Sequence, residues 1–362
     1  MDQSIEKLCF LIKDKLKILL KFKIISINLS VLLISMIIIE LIFGYWLKNK
    51  FNLKLSAERN VERIYKFEFK LHKGTSYYKR NNYAFRIGKN NLNPKNINIV
   101  FAGGSTTNQK FLNYEDTIVG ILDNKYKTKN IVNAGIDGMS IIGHLNSFEN
   151  WFDKINNLNP EYYIFFVGVN DNFVLKIDSD DDKNRKIDYL LENSFKDNFI
   201  YYIKSNSFFY INFKKIKSNL YFKFKINKFA NIVNKNTRVY GERKKKRFIK
   251  YEDYGPDQLN AELINNNYLN RLEELTNKVL KRKANVVYIT QILGTGIDRN
   301  LYIISHTIMK HCKDNNLKCI NLAKNANLNY EDFYDWAHLN KMGSTKVANY
   351  LFNELSEIIL EN

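Results

Sequence analysis

Five short apolar runs, spaced by longer stretches of helical character, constrain the fold of this chain more than any other feature. They are INIVFAG (97–103), NIVNAG (130–135), YYIFFVG (162–168), NVVYITQ (285–291) and LKCINL (317–322). Their hydrophobicity is continuous rather than alternating, as in strands covered on both faces. Between them lie candidate helices at 257–283, 297–314 and 341–360; the last carries Val347, Leu351 and Leu355 at helical spacing. Strand and helix in repetition predict an α/β fold: a three-layer α/β/α sandwich around a parallel sheet of about five strands.

A different signal precedes this domain. Residues 24–46, IISINLSVLLISMIIIELIFGYW, hold 17 apolar residues out of 23. As a helix they extend ~34 Å, enough to cross a hydrocarbon core of about 30 Å. Tyr45 and Trp46 stand where interfacial aromatics belong, and no small-residue cleavage site follows. One N-terminal transmembrane helix is expected, with Glu40 its one awkward residue. Five lysines at 9–23 face four basic residues at 47–61, a slight excess that favours a cytoplasmic N terminus and an extracytoplasmic catalytic domain. The reading divides the chain into a basic N-terminal segment (1–23), the anchor (24–46), a linker or juxtamembrane region (47–95) and a domain over 96–362. An aromatic and basic insertion interrupts that domain at about 172–256.

The formal net charge of +19 is uneven, since residues 213–250 hold 14 Lys or Arg against the single acid Glu242. Such a localised surplus argues against a general nucleic-acid surface. With a bilayer close by, residues 199–250 are expected to touch an anionic membrane surface; a solvated helix pair or single-stranded nucleic acid are the alternatives. The three cysteines, Cys9, Cys312 and Cys319, form no metal-ligand pattern and leave the redox compartment open.

In an open α/β sheet, ligands gather at the carboxyl ends of the strands. The first strand here is followed by Gly103-Gly104-Ser105-Thr106-Thr107, the second by Gly135-Ile136-Asp137-Gly138 and the third by Gly168-Val169-Asn170-Asp171. The fifth leads to Asp335-Trp336-Ala337-His338. A serine hydroxyl needs a base within hydrogen-bond reach, and an imidazole suits proton transfer in both directions. Asp335 is placed to orient His338, while the Ser105 and Gly138 N–H groups and the Asn170 amide are candidate oxyanion donors. Each residue taken alone has a plainer explanation: Ser105 as a helix N-cap, Asn170-Asp171 as a turn, Asp335 as the cap of the last helix. His72, His144, His306 and His311 compete with His338, and the pair 306 and 311 reads as lying on a solvated helix. The four blocks occurring together, in order, favour the catalytic reading.

These blocks resemble the SGNH (GDSL-type) hydrolase superfamily, with VGVND and DWAHLNKMG the most specific pieces and AGGSTT looser. The match runs from about 97 to 350 without the insertion. It implies nucleophile Ser105, base His338, orienting Asp335 and oxyanion donors Gly138 and Asn170, with Gly135 a competing glycine. One departure stands out: the family's Gly-Asp-Ser reads Gly103-Gly104-Ser105, without an acid beside the nucleophile. The G-x-S-x-G elbow of α/β-hydrolases is absent, since Thr107 replaces its second glycine. No phosphate loop, dinucleotide fingerprint or zinc motif occurs, so no cofactor or metal is expected. The expected function is a membrane-anchored serine esterase, acyl hydrolase or O-deacetylase acting on an ester-bearing glycan or lipid. The alternatives are an acyltransferase using the same site and a catalytically idle binding module.

Overall fold

The computed structural model describes residues 3–47, 57–69, 72–88, 92–174, 195–224, 248–254 and 265–360. A long helix α1 (Gln3–Phe43) precedes an antiparallel hairpin of β1 (Val61–Phe69) and β2 (His72–Arg80). The body begins with β3 (Ile99–Gly103), α2 (Ser105–Asn108), α3 (Ile118–Lys125), β4 (Ile131–Gly135), α4 (Ile141–Asn150), β5 (Tyr162–Phe166) and α5 (Asp171–Val174). Two helices of the insertion follow, α6 (Phe195–Asn206) and α7 (Phe208–Phe224). The body resumes with α8 (Asn266–Leu280), β6 (Asn285–Ile289), α9 (Arg299–Asp314), β7 (Lys318–Ile320), α10 (Leu322–Asn325) and α11 (Lys341–Leu360). The acidic run 178–185, residues 225–247 of the basic stretch and the expected helical start at 257–264 lie outside the described residues.

The five body strands are parallel, in the order β4-β3-β5-β6-β7. Counted within the sheet this is 2-1-3-4-5, the doubly wound flavodoxin-like order. Alternate strand residues feed two cores. Val100, Tyr163 and Phe165 pack with α4, α8 and α9 on one face, while Phe101, Ile164 and Phe166 pack with α3 and α11 on the other. Burial on both faces explains the continuous apolar runs, and the result is the three-layer sandwich that the sequence predicts.

The region at 47–95 departs from a simple linker. Tyr65, Phe67 and Phe69 point from β1 into an aromatic cluster with Phe111 and Tyr334. Beyond β2 the chain runs beside the sheet's edge strand β4, where the Arg86 N–H donates to the Asn133 carbonyl at 2.9 Å. An exposed β edge invites pairing with other chains, and this segment covers it. Two buried arginines hold the cover in place. Arg80 donates to the Tyr78 hydroxyl, to Asn108 Oδ1 and to the Ala84 and Gly135 carbonyls; Arg86 donates to the Asn108 and Leu112 carbonyls. Complete burial pulls the Arg86 pKa down to about 10.

Of α1, Leu19–Phe43 is long and apolar enough to cross a membrane and is not buried against the rest of the protein. Glu40 has a role that its sequence context hides. It accepts from Ser207 Oγ (2.6 Å), Phe208 N (2.9 Å), Phe209 N (3.2 Å) and Trp46 Nε1 (2.8 Å). A carboxylate on an apolar helix thereby caps the N terminus of α7, whose first N–H groups lack partners within their own helix.

Candidate active site

The site is built at the carboxyl ends of β3 and β5, where the strand order reverses. Gly103 closes β3 and Gly104 is the N-cap of α2, so Ser105 takes the first helical position. Its hydroxyl is therefore not the cap; it lies 2.7 Å from His338 Nε2. His338 Nδ1 lies 2.8 Å from Asp335 Oδ2 and 2.9 Å from Oδ1. Asp335 Oδ1 also accepts the backbone N–H groups of Ala337 (2.9 Å) and His338 (2.8 Å). Burial works to raise the Asp335 pKa, but the neighbouring imidazole and these N–H groups hold it below the usual carboxylate range. It does not cap α11, where Asn340 Oδ1 accepts the Gly343 N–H at 3.0 Å. Two residues separated by more than two hundred positions in sequence thus meet through one hydrogen bond.

Steric constraints explain both glycines before Ser105. A Cβ on Gly103 would stand 2.1 Å from Thr107 Oγ1 and 2.8 Å from the Phe166 carbonyl oxygen. A Cβ on Gly104 would stand 2.0 Å from Asn170 Nδ2. The carboxamide of Asn170 occupies the space that any side chain at 104 would need. The missing acid of the Gly-Asp-Ser pattern is thus matched here by a close approach of Asn170, whose Nδ2 also donates to the Met139 carbonyl at 2.9 Å.

Backbone geometry distinguishes the two glycines of the second block. Gly135 pairs with Gly103 in the sheet, its N–H donates to Asn133 Oδ1 at 2.9 Å, and its Cβ position is blocked by Asn108 N at 2.4 Å. Gly138 instead adopts φ +79° and is exposed. That left-handed conformation suits glycine. Among the described residues, neither the Gly138 nor the Ser105 N–H has a hydrogen-bond acceptor. Beside Gly138, Asp137 receives Lys110 (2.6 Å) and Asn108 Nδ2 (2.7 Å). Partial burial works to raise its pKa, yet these two neighbours hold it low.

Several supporting residues escape the sequence reading. Asp171 Oδ1 accepts Ile141 N (2.7 Å) while its Oδ2 accepts Gly168 N (3.0 Å), tying the loop of Asn170 to the helix after Gly138. Gln291 donates to Thr106 Oγ1 (2.8 Å) and the Phe166 carbonyl (3.0 Å) and accepts Val169 N (2.7 Å). It fastens the serine helix to the Asn170 loop. Tyr334, fully buried with its phenol pushed well above the usual range by burial, lies parallel to the His338 ring at 5.6 Å. The signal for Gln291 was available, since it closes the apolar run NVVYITQ and follows β6 on the same rim.

The other histidines go elsewhere. His144 is wholly buried in the core against Phe165, and burial pulls its pKa down to about 3. His72 stacks on Phe67 at 4.3 Å in the hairpin cluster. The expectation of a solvated helix for the pair 306 and 311 is corrected at His311, which is buried and bonded to Thr276 Oγ1 at 2.9 Å. Position 311 faces α8 because it shares the inward stripe of α9 with Ile304 and Ile308.

No protein-family model matches the chain, and no curated protein matches it. Solved structures are similar in fold. A lipolytic protein of the G-D-S-L family from Veillonella parvula is 13% identical, covering 71% of this chain and 97% of its own, with a TM-score of 0.39. A putative lipolytic protein of the same family from Desulfitobacterium hafniense is 12% identical, with 72% and 99% covered and a TM-score of 0.40. A variant of an acetyl xylan esterase from Geobacillus stearothermophilus is 12% identical, with 72% and 96% covered and a TM-score of 0.38. At these identities and scores nothing about the site follows from the likeness.

Proposed function

We propose that the protein is a membrane-anchored serine ester hydrolase acting through an acyl-enzyme. The observation that carries this reading is the unbroken chain from Ser105 Oγ to His338 (2.7 Å) to Asp335 (2.8 Å) at the switch point of a doubly wound sheet. His338 Nε2 takes the hydroxyl proton as Ser105 Oγ bonds to the ester carbonyl carbon. The carbonyl oxygen becomes an oxyanion, held by the N–H groups of Ser105 and Gly138 and by Asn170 Nδ2. Collapse breaks the bond to the leaving oxygen, which receives its proton from His338. Water then repeats the sequence on the acyl-serine, with His338 as base, releasing the acid. Asp335 keeps Nδ1 protonated and stabilises the imidazolium without taking the proton.

The substrate we favour is an O-acylated glycan of the cell envelope, with a lipid ester as the second choice. A cavity of about 300 Å³ is lined by Tyr65, Tyr78, Arg80, Asn108, Lys110 and Asp137, the last of these next to Gly138 in the sequence. Tyrosine faces beside carboxylate, amide and cationic groups suit a ring bearing hydroxyls. Two features support the reading of an anchor rather than a cleaved leader, with the domain outside the cytoplasm. Glu40 and Trp46 are bonded into the folded domain, with the Trp46 ring 5.5 Å from Tyr202. Cys312 and Cys319 are joined in a disulfide, a bond that persists in oxidising compartments.

The test uses the full chain in detergent. A fluorophosphonate should label Ser105, and the protein should hydrolyse short aryl esters and release acetate from acetylated glycans. Labelling that persists in Ser105→Ala removes the assignment of the nucleophile.

A further inference from the structure

Helices α6 and α7 carry two apolar stripes that are largely exposed. On α6, Phe195, Phe199 and Tyr202 recur at i, i+4 and i+7, with exposures of 83%, 53% and 41%. On α7, Phe213, Ile216 and Leu220 recur at i, i+3 and i+7, with exposures of 64%, 55% and 42%. These spacings put each set on one helical face. Side chains of this size, grouped in this way, mark an interaction surface rather than scattered surface residues.

The position of the stripes identifies the occupant. They start at the end of the anchor: Phe43 meets Phe208 at 5.5 Å, Trp46 meets Tyr202 at 5.5 Å, and the Tyr45 N–H donates to the Asn206 carbonyl at 2.9 Å. The unburied surface of α1 therefore continues onto the two insertion helices. Glu40 makes the joint firm, since its carboxylate binds Ser207 and the first N–H groups of α7 while receiving Trp46. The opposite sides of α6 and α7 grip the domain through Tyr201 Oη to the Ala57 carbonyl (2.7 Å), Asn60 Nδ2 to the Ser205 carbonyl (2.9 Å) and Lys215 to Glu62 (2.7 Å).

We propose that α6 and α7 lie in the interfacial layer of the bilayer that α1 crosses, pinned there by Glu40, so that the hydrolase domain is held in a fixed attitude on the membrane. Aromatic and aliphatic side chains face the acyl region, and the lysines beside them reach back to the headgroups. The proposal rests on the reading of α1 as a span, and the experiment separates the two.

The full chain, with Cys9→Ser and the Cys312–Cys319 disulfide intact, is reconstituted in phosphatidylcholine vesicles. It carries a nitrobenzoxadiazole label on one introduced cysteine at a time: Val31→Cys, Phe199→Cys, Phe213→Cys or Lys313→Cys. Labels at 199 and 213 should show blue-shifted emission and several-fold stronger quenching by doxyl-lipid than the label at 313. Adding Glu40→Ala should cut that quenching several-fold at 199 and 213 while leaving 31 unchanged. Labels at 199 and 213 that respond only to aqueous iodide, or to neither quencher because other parts of the chain cover them, overturn the proposal. Quenching that survives Glu40→Ala overturns the role of the pin. A water-exposed label at 31 shows instead that the span itself was misread, and the proposal falls with it.

Discussion

The carboxyl rim of the sheet and the hairpin segment at 57–88 both lie against the short helix α2 that carries Ser105, yet they are made of opposite materials. The rim holds Ser105, His338 and Asn170 on loops whose shape is set by glycines and short hydrogen bonds. The hairpin segment presses on the same helix from outside with buried aromatics and two arginines that bond to backbone carbonyls. The chemistry proposed for the rim depends on single atoms in place. The hairpin contributes packing and satisfied polar groups, and Tyr65, Tyr78 and Arg80 add one wall of the nearby cavity. Substitutions in the two regions should therefore separate activity from stability.

The largest effect belongs to the rim. Ser105→Ala should lower kcat for an aryl ester on the order of 10⁶-fold, about 8 kcal/mol of barrier. The hydroxyl is small and the pocket stays polar, so the thermal midpoint should hardly move. A midpoint shift of many degrees, with activity largely kept, would reverse the contrast between the two regions.

That contrast also separates what was readable in the sequence. At the rim, chemistry needs one residue type at one place: glycine where Asn170 passes 2.0 Å from a would-be Cβ, histidine three positions after an aspartate. Such demands leave short fixed patterns at strand ends. The parallel sheet was readable for a similar reason, since double burial forces continuous apolar runs. In the hairpin, Tyr65, Phe67 and Phe69 alternate with Lys66 and Glu68, which is a strand signal. It stands beside the long apolar helix α1, however, and nothing local shows which surface it covers. Arg80 and Arg86 were still harder to foresee, because arginine is usually exposed and its burial depends on carbonyls from distant loops. Glu40 is a similar case: its partners Ser207 and Phe208 lie more than 160 positions away.

The second effect refines the rim. Gly104→Ala places a methyl where Asn170 Nδ2 now sits, at φ −84°, a backbone that alanine adopts freely. The cost therefore falls on Asn170 rather than on the turn. If Asn170 is an oxyanion donor, kcat should fall roughly 10²–10³-fold, about 2.7–4 kcal/mol, with KM little changed. An unchanged kcat would remove Asn170 from the oxyanion site, whatever the fate of Ser105.

The hairpin is tested by Arg86→Met. The substitution keeps an unbranched chain under the Tyr78 ring, which the guanidinium now meets at 5.1 Å, but leaves the Asn108 and Leu112 carbonyls without their donor. Unpaired buried groups cost about 1–3 kcal/mol each. Chemical denaturation should show a loss of roughly 2–5 kcal/mol, and kcat should remain within about tenfold below the new midpoint. A stable variant with abolished kcat would move Arg86 from the scaffold to the chemistry.

The smallest effect lies at the seam between the regions, where Lys110 meets Asp137 at 2.6 Å beside Gly138. The folded-state pKa of Asp137 is held low by Lys110 and Asn108 despite partial burial. A depressed carboxylate stabilises the fold above its unfolded value, near about 3.9, and that contribution is lost as pH falls through the folded value. Both groups are more than a third exposed, so solvent screening limits the pair to about 0.2–1 kcal/mol. Asp137→Asn should lower the thermal midpoint slightly at pH 7, and the gap from the parent protein should close below about pH 4 as both forms become neutral. A gap that persists at low pH would mean that the carboxamide disturbs the Asn108 contact itself, and with it the loop carrying Gly138. The seam would then belong with the rim, where geometry governs, rather than with the hairpin, where packing does.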